Sequence, residues 1–431
     1  MAKPRTRKDA TDVRVSARVA LWGATVGHVR EYENGRIGFD YDPDYLSSGV
    51  SLSPRFLPLE RHVFEFPELR VMNSFQGLPG ALADSLPDTF GNLIIRKHFE
   101  ERGEPDNALS PVQRLLYVGH RAMGALEYSP ALQRKTPEEE HALEIQSLVE
   151  SARRLIEGEP AEAVHEIMRV GGSAGGARAK ALILWDRENN RVRSGFAKIR
   201  QGEEPWLIKF DGVGSANALD RNAKPYNRIE YTYALLAKQL KIEISDVAYL
   251  EEPDTGLFHF MTRRFDRVGS EKINMHSLAG MTHIDFNQPQ AYSYEAWFRL
   301  IMELKLGANT LEQAYRRMLF NIVGRNQDDH VKNISFLMDS LSSGWRLSPA
   351  YDLTFAAGSG YTLRHQMTVG GRSDDFNVDD LVELGKQFDV NKPQAILEQT
   401  VAAFSEWPAL AKKWGVAENQ IKTVSAMHRL T

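Results

Sequence analysis

The chain has no cysteine among its 431 residues. That excludes disulfides, thiolate metal sites and cysteine nucleophiles together. It also fits a reducing compartment, so the expected location is the cytoplasm. No run approaches the roughly 18 consecutive apolar residues that a membrane-spanning helix requires, and no membrane partner is expected. The basic N-terminus, Met1-Ala2-Lys3-Pro4-Arg5-Thr6-Arg7-Lys8, lacks the apolar segment of a secretory signal and reads as a solvated tail. An excess of one charge is missing too. Lys plus Arg number 53 against 57 Asp plus Glu, a net −4, so nothing global points to nucleic acid. Neither an internal repeat nor a low-complexity tract is present.

What is there has the balance of a globular protein, and the length predicts two or three domains with a core large enough to need no staples. Val13, Val15, Ala17, Val19 and Leu21 alternate with mostly polar residues, and Arg36 to Tyr41 follows as a short strand. Phe90-Gly91-Asn92-Leu93-Ile94-Ile95-Arg96 is helix-like. No acid, base or phosphate motif stands out in residues 1–135, whose expected role is packing or partner binding. The polar stretch Lys135 to Glu140 marks a boundary. Leu148, Val149, Ala152, Leu155 and Ile156 then predict a helix. Strands are expected at 181–185, 206–210 and 258–262, and a helix from about Asn227 to Leu240. Beyond 262 the pattern is mostly helical, with an apolar stripe from Leu311 to Val323.

Three stretches carry chemistry. Gly171-Gly172-Ser173-Ala174-Gly175-Gly176 lets a backbone approach phosphate closely. It is neither a Walker A loop nor Gly-x-Gly-x-x-Gly, and a flexible linker fits it equally well. Lys209 lies within an apolar strand, either as a snorkelling lysine or as a grip on nucleotide phosphates. The second reading requires a nearby acid, which Glu230 on the next helix supplies, as in the lysine–glutamate pair of protein kinases. The densest stretch is Asn326-Gln327-Asp328-Asp329-His330-Val331-Lys332-Asn333. Asp328 and Asn333 have the Asp-x-x-x-x-Asn spacing of a kinase catalytic loop, with the Asp as base and the Asn on a metal. A hairpin after this loop would return Asp352 as a second Mg²⁺ ligand. His330 and Lys332 are read as orienting the loop or contacting phosphate oxygens. Asp329 has no assigned role. A His–Asp zinc site built on Asp328, Asp329, His330 and Asp352 lacks a second histidine at ligand spacing. A purely structural polar loop is the remaining reading.

These residues resemble the HipA-family serine/threonine kinases, the toxin components of bacterial toxin–antitoxin modules. The resemblance runs through Val15 to Gly27, Gly77-Leu78-Pro79, Ser173 to Lys180, Trp206 to Phe210 and Arg264-Phe265-Asp266. It is most specific in the Asp-x-His-x-Lys-Asn of 328–333 and in Pro349-x-Tyr351-Asp352. It implies an α+β fold, with a small N-terminal α+β domain (1–135) on a two-lobed protein-kinase-like body. One lobe (136–262) carries the glycine-rich loop, and the other (263–431) is mostly helical and carries the catalytic loop.

The resemblance also implies roles. Asp328 matches the catalytic aspartate, Asn333 and Asp352 the Mg²⁺ ligands, and Lys209 the lysine on the ATP phosphates. Ser173, Ala174, Gly175 and Gly176 form the phosphate-binding loop, with Ser173 as the autophosphorylated serine. A phosphate there should expel the loop by charge repulsion and switch the enzyme off. Arg263 and Phe265 fall where backbone groups meet adenine. Members of the family phosphorylate aminoacyl-tRNA synthetases, and a helix-turn-helix antitoxin restrains them, so DNA is reached only through the antitoxin. The family often has an acid where Arg263 stands, and residues 1–12 have no counterpart in it. Two other readings fit the same residues: a small-molecule kinase, and a catalytically idle binding module acting through an antitoxin–DNA complex.

Overall fold

The computed structural model describes residues 12–100, 103, 109–132, 142–159, 167, 178–214 and 225–429. The expected strand over Val13 to Leu21 is β1 (Val13–Leu21), and β2 (Ala24–Tyr32) returns beside it. Trp22 and Gly23 join them at φ of 50° and 82°. A two-residue turn with both φ positive matches the twist of the strands it connects, and glycine adopts such a φ without strain. With β3 (Ile37–Tyr41), β4 (Val63–Glu65) and β5 (Leu126–Ser129) they form an antiparallel sheet in the order β4-β3-β2-β1-β5. The helix Pro111–Val118 opens with a reciprocal cap between Ser110 and Gln113. Its Val112 and Leu115 join Ala17, Val19 and Leu21 in one core.

A second antiparallel sheet has the order β10-β11-β9-β7-β8-β6. Its strands are β6 (Ala142–Leu143), β7 (Lys180–Asp186), β8 (Arg191–Ser194), β9 (Glu203–Lys209), β10 (Val247–Glu251) and β11 (Phe258–Arg263). Period two gives it two different faces. Ala181, Ile183, Trp206, Ile208 and Phe210 pack on the predicted helix Ile145–Glu157 through Leu148, Ala152 and Leu155. Leu207 and Lys209 look the other way. The helix Asn227–Gln239 links this sheet to the largest core. There it meets the helices Tyr294–Glu303, Ala308–Val323, Val378–Gln387 and Pro393–Lys413.

The C-terminal part is helical, as expected, but it also carries short strands. The ribbon β12 (Arg267–Val268) and β13 (Glu271–Lys272) precedes β14 (Asn274–Ser277), β15 (Tyr292–Ser293), β16 (Ser335–Met338), β17 (Arg346–Leu347) and β18 (Met367–Thr368). β14, β16 and β17 form a small sheet, and β15 lies parallel to β18. The β16–β17 hairpin is the one the sequence pattern required to bring Asp352 back.

A buried ion cluster locks the first sheet to this body. Asp266 accepts from Arg264 and Arg267, each at 2.8 Å, and from the Gly124 backbone N–H at 2.8 Å. Burial works to raise the Asp266 carboxyl, but the two guanidiniums outweigh it and hold it well below the usual carboxylate range. Removing one member of a buried ionic set leaves the others uncompensated, at about 3–5 kcal/mol. Asp266→Ala should therefore lower the unfolding free energy by about that amount in denaturant melts. A loss under about 1 kcal/mol would contradict the assignment.

Candidate active site

Lys209 lies opposite Lys180 of β7 and Phe260 of β11. It is therefore on an interior strand, and the snorkelling reading falls away. Its face of the sheet opens on a cleft. An apolar set (Leu207, Ala234, Ile244, Val247, Phe260 and Leu353) shares the lining with a charged set (Lys180, Lys209, Glu230 and Asp352).

The Lys209 ammonium lies 2.5 Å from Glu230 Oε1 and also pairs with Asp352 Oδ1. Arg178 reaches the other oxygen of Glu230 at 3.3 Å and donates to Asn227 Oδ1 at 2.9 Å. Asn227 Nδ2 in turn donates to the Lys209 carbonyl at 2.9 Å, stapling the start of the helix to the strand. Burial alone would lower the proton affinity of Lys209. Asp352 and Glu230 outweigh it and hold the ammonium above its usual range.

The predicted apolar stripe of the helix Ala308–Val323 is buried at Ala314, Tyr315, Met318, Leu319, Ile322 and Val323. The chain leaves it through Arg325 at a left-handed φ of 54°. Asn326 N–H donates to Asn321 O, and Gln327 N–H to Ala356 O, both at 2.9 Å. The structure supplies the role that the sequence pattern left blank for Asp329. Its carboxylate is buried and accepts from Tyr294 Oη at 2.7 Å, His365 Nδ1 at 2.9 Å and Gln366 N–H at 2.7 Å. It is the anchor of the loop.

Asp328 is half-buried, with His330 Nε2 at 3.7 Å. Desolvation, with Asp352 and Asp329 nearby, raises its carboxyl above the ordinary value against the pull of His330. Asn333 Nδ2 donates to the Asp328 carbonyl at 2.9 Å, closing the loop across its expected pair. Tyr351 Oη donates to the Lys332 carbonyl at 2.7 Å and lies 2.6 Å from Ser335 Oγ. Asp352 follows at a φ of 53°, a conformation Asp and Asn tolerate better than most residues. Burial would raise the Asp352 carboxyl, but Lys209 and Lys180 outweigh it and hold it below the usual range. The two carboxyls are thus pushed apart, one toward accepting a proton and the other toward permanent charge.

Asn333 and Asp352 offer an amide and a carboxylate oxygen, hard donors of the kind Mg²⁺ takes alongside phosphate and water. Among the described residues no group of three or more His, Asp or Glu side chains could hold a metal ion, so the zinc set weighed from the sequence is not assembled.

Arg263 and Phe265 both line the cleft. The Arg263 N–H already donates to Asp246 O at 2.8 Å, and its guanidinium pairs with Glu204 at 3.0 Å. The Phe265 ring lies 5.6 Å from that of Tyr351. Ser173, Ala174, Gly175 and Gly176 lie outside the described residues.

Lys332 is paired with Asp84 at 3.2 Å. The region 1–135, in which no acid, base or phosphate motif stood out, sends Asp84 to Lys332 and Asp88 to the buried Lys180 at 3.1 Å. Asp88 had a signal, since it follows Pro87 and precedes a helix. Asp84 had none, because its partners are distant in sequence.

The HipA-like C-terminal domain model matches residues 172–408, and the HipA N-terminal domain model matches residues 17–129. The chain belongs to the HipA family. Among solved structures, it is similar to the HipA of a Shewanella oneidensis MR-1 toxin–antitoxin complex of HipA, HipB and operator DNA. That protein is 15% identical at a TM-score of 0.65, and the match covers 95% of this chain and 94% of that one. This likeness shows the fold. The Helicobacter pylori proinflammatory kinase CtkA is 11% identical at a TM-score of 0.34, with 53% of this chain and 89% of that one covered. No curated protein matches.

Asp329→Ala leaves three buried donors without their acceptor. It should cost about 3 kcal/mol of stability in denaturant melts and speed amide exchange at residues 326–333. Unchanged exchange in that loop would remove Asp329 as its anchor.

Proposed function

We propose that this chain is an ATP- and Mg²⁺-dependent serine/threonine-protein kinase and the toxin of a toxin–antitoxin pair. One observation carries the reading. A buried strand lysine, its helix glutamate and Asp352 meet at one cleft, beside a braced loop that presents Asp328 and Asn333.

Asp328, its proton affinity raised, accepts the proton of the acceptor hydroxyl. Lys209, steered by Glu230, exchanges Asp352 for phosphate oxygens and aligns them. Asn333 and Asp352 are the residues that would hold Mg²⁺. When bound, Mg·ATP supplies the phosphoryl group and the metal that neutralises it. The chain's own contribution is positioning and fixed charge, the usual source of rate in phosphoryl transfer. The apolar lining of the cleft suits the adenine ring, with Arg263 and Phe265 at its edge. At Arg263 the occupied N–H points to the carbonyl as the group that meets the base. The Ser173 loop covers the phosphates in this scheme, and its serine is the autophosphorylation site.

The Shewanella protein was solved with HipB and operator DNA. A helix-turn-helix antitoxin is the partner proposed here, with DNA contacted through it. The acceptor is a cytoplasmic protein, such as an aminoacyl-tRNA synthetase. Among the described residues no helix is long and apolar enough to cross a membrane.

Asp328→Asn should cut phosphoryl transfer at least about 100-fold while ATP still binds; persistent transfer in a radiolabel assay would sink the base assignment. Incubation with Mg·ATP should add one phosphate to the intact mass, absent in Ser173→Ala. An equal mass shift in that variant removes Ser173 from the scheme. The active form of Asp328 is the deprotonated one, so activity falls as pH drops through its raised pKa. The acid limb of kcat/KM should therefore lie above the ordinary Asp value of about 3.9; a limb at or below that value contradicts the base role. Phosphoproteomes of cells with and without the protein should differ in phosphoproteins. A change confined to small molecules would favour the small-molecule kinase.

A further inference from the structure

The N-terminal region lines the cleft through Met123 and sends two carboxylates to lysines beside it, Asp84 to Lys332 and Asp88 to Lys180. Asp84, just past the short helix Gly80–Ala83, accepts from His276 Nδ1 at 2.6 Å, Ser277 N–H at 2.7 Å, Ser277 Oγ at 2.5 Å and Lys332 Nζ at 3.2 Å. Lys332 is next to Asn333 in the loop that carries Asp328. Asp88, at the start of the helix Thr89–Glu100, caps it through Gly91 N–H at 2.6 Å and turns its other oxygen to Lys180 at 3.1 Å. Lys180 lies opposite Lys209 on the neighbouring strand. One short segment therefore holds the catalytic loop with one acid and the ammonium pair with the other.

The backbone is pressed in to match. Gly80 N–H donates to His283 Nε2 at 3.0 Å, and burial drives the His283 pKa down to about 3, leaving a neutral acceptor. A Cβ on Gly80 would stand 2.1 Å from Gly280 O, and a Cβ on Gly280 would stand 2.5 Å from Asp84 Oδ2. Two glycines thus let the segment lie on the helix Leu278–Thr282 with no side chain between them. The Asp84 side chain is itself nearly buried. An acid so enclosed, with four donors, does not drift; Lys332 must come to it.

We propose that residues 84–88 are a strap between the loop that carries Asp328 and the strand that carries Lys180. Asp84 is a positioning residue for the catalytic loop through Lys332, and Asp88 is a positioning residue for the phosphate-side ammoniums through Lys180. The proposal rests on the phosphotransfer reading above. It goes further in making the N-terminal region part of the catalytic geometry. The strap touches both lobes, so it sets their separation where the reacting groups meet. Displacements of about 1 Å at such a place can cost 100-fold in rate.

The experiment uses the full chain and three variants. Asp84→Asn removes the charge. Gly280→Ala keeps the charge but crowds the Asp84 carboxylate, the His276 ring and the Gly80 carbonyl together, and so shifts the whole segment off its seat. Asp88→Asn keeps the helix cap, which Asn serves as well as Asp, and removes only the pairing charge. The first two should lower kcat about tenfold or more with the KM for ATP within about twofold. Asp88→Asn should raise the KM for ATP more than it lowers kcat. Hydrogen exchange is read in parallel, and it does not depend on activity. Asp84→Asn and Gly280→Ala should speed exchange at residues 326–333 and leave the helix Pro393–Lys413 unchanged.

Wild-type kinetics in both Asp84→Asn and Gly280→Ala would overturn the strap. So would equal losses in kcat and ATP affinity, the mark of a merely structural contact. If the wild type transfers no phosphate, the functional reading fails and exchange alone decides the strap. Faster exchange confined to the loop supports it, and unchanged exchange overturns it.

Discussion

Burying an ammonium is costly unless it is compensated, and the arrangement around Lys209 follows from that constraint. Its two carboxylates come from different parts of the chain, one from the helix Asn227–Gln239 and one from the turn after β17. The compensation cannot form until the sheet, the helix and the C-terminal hairpin are all in place. The same charge on Lys209 holds the Asp352 carboxyl below its usual range.

The second constraint is the opposition of neighbours at 328 and 329. Adjacent side chains in an extended loop point to opposite sides. Burying Asp329 against Tyr294, His365 and Gln366 therefore turns Asp328 outward. The inner acid, satisfied by three donors, carries the cost of rigidity, and the outer one is left under-compensated and prone to take a proton. Asn333, bonded back to the Asp328 carbonyl, keeps the two ends of the loop at a fixed spacing.

Much of this could be read from the residues in order. Period two in β1 and β9, the stripe of Ala308–Val323 and the hairpin that returns Asp352 are local patterns, and local physics determines them. The Lys209–Glu230 pair was legible because strand and helix are neighbours in the chain. The Asp328–Asn333 spacing was legible because it is a single turn. The role of Asp329 was not, since its three donors come from two other elements and no periodicity announces a buried acid. Asp84 was hidden for the same reason: its partners His276 and Lys332 are brought to it only by the packing of the first sheet on the body. The Lys332–Asp84 pair was equally hidden, because the acid comes from outside the motif.

In the function proposed above, Asp352 pairs with Lys209 and would also hold the metal that accompanies ATP. Calorimetric titration of ATP into wild type and Asp352→Asn, each with and without Mg²⁺, tests it most directly. Asn suits the left-handed φ at that position, so the substitution removes charge without forcing the backbone. The wild type should show one ATP site that Mg²⁺ tightens about tenfold or more. In Asp352→Asn, ATP should still bind but gain little from the metal. An equal Mg²⁺ effect in both proteins, or no ATP binding by the wild type, would contradict it.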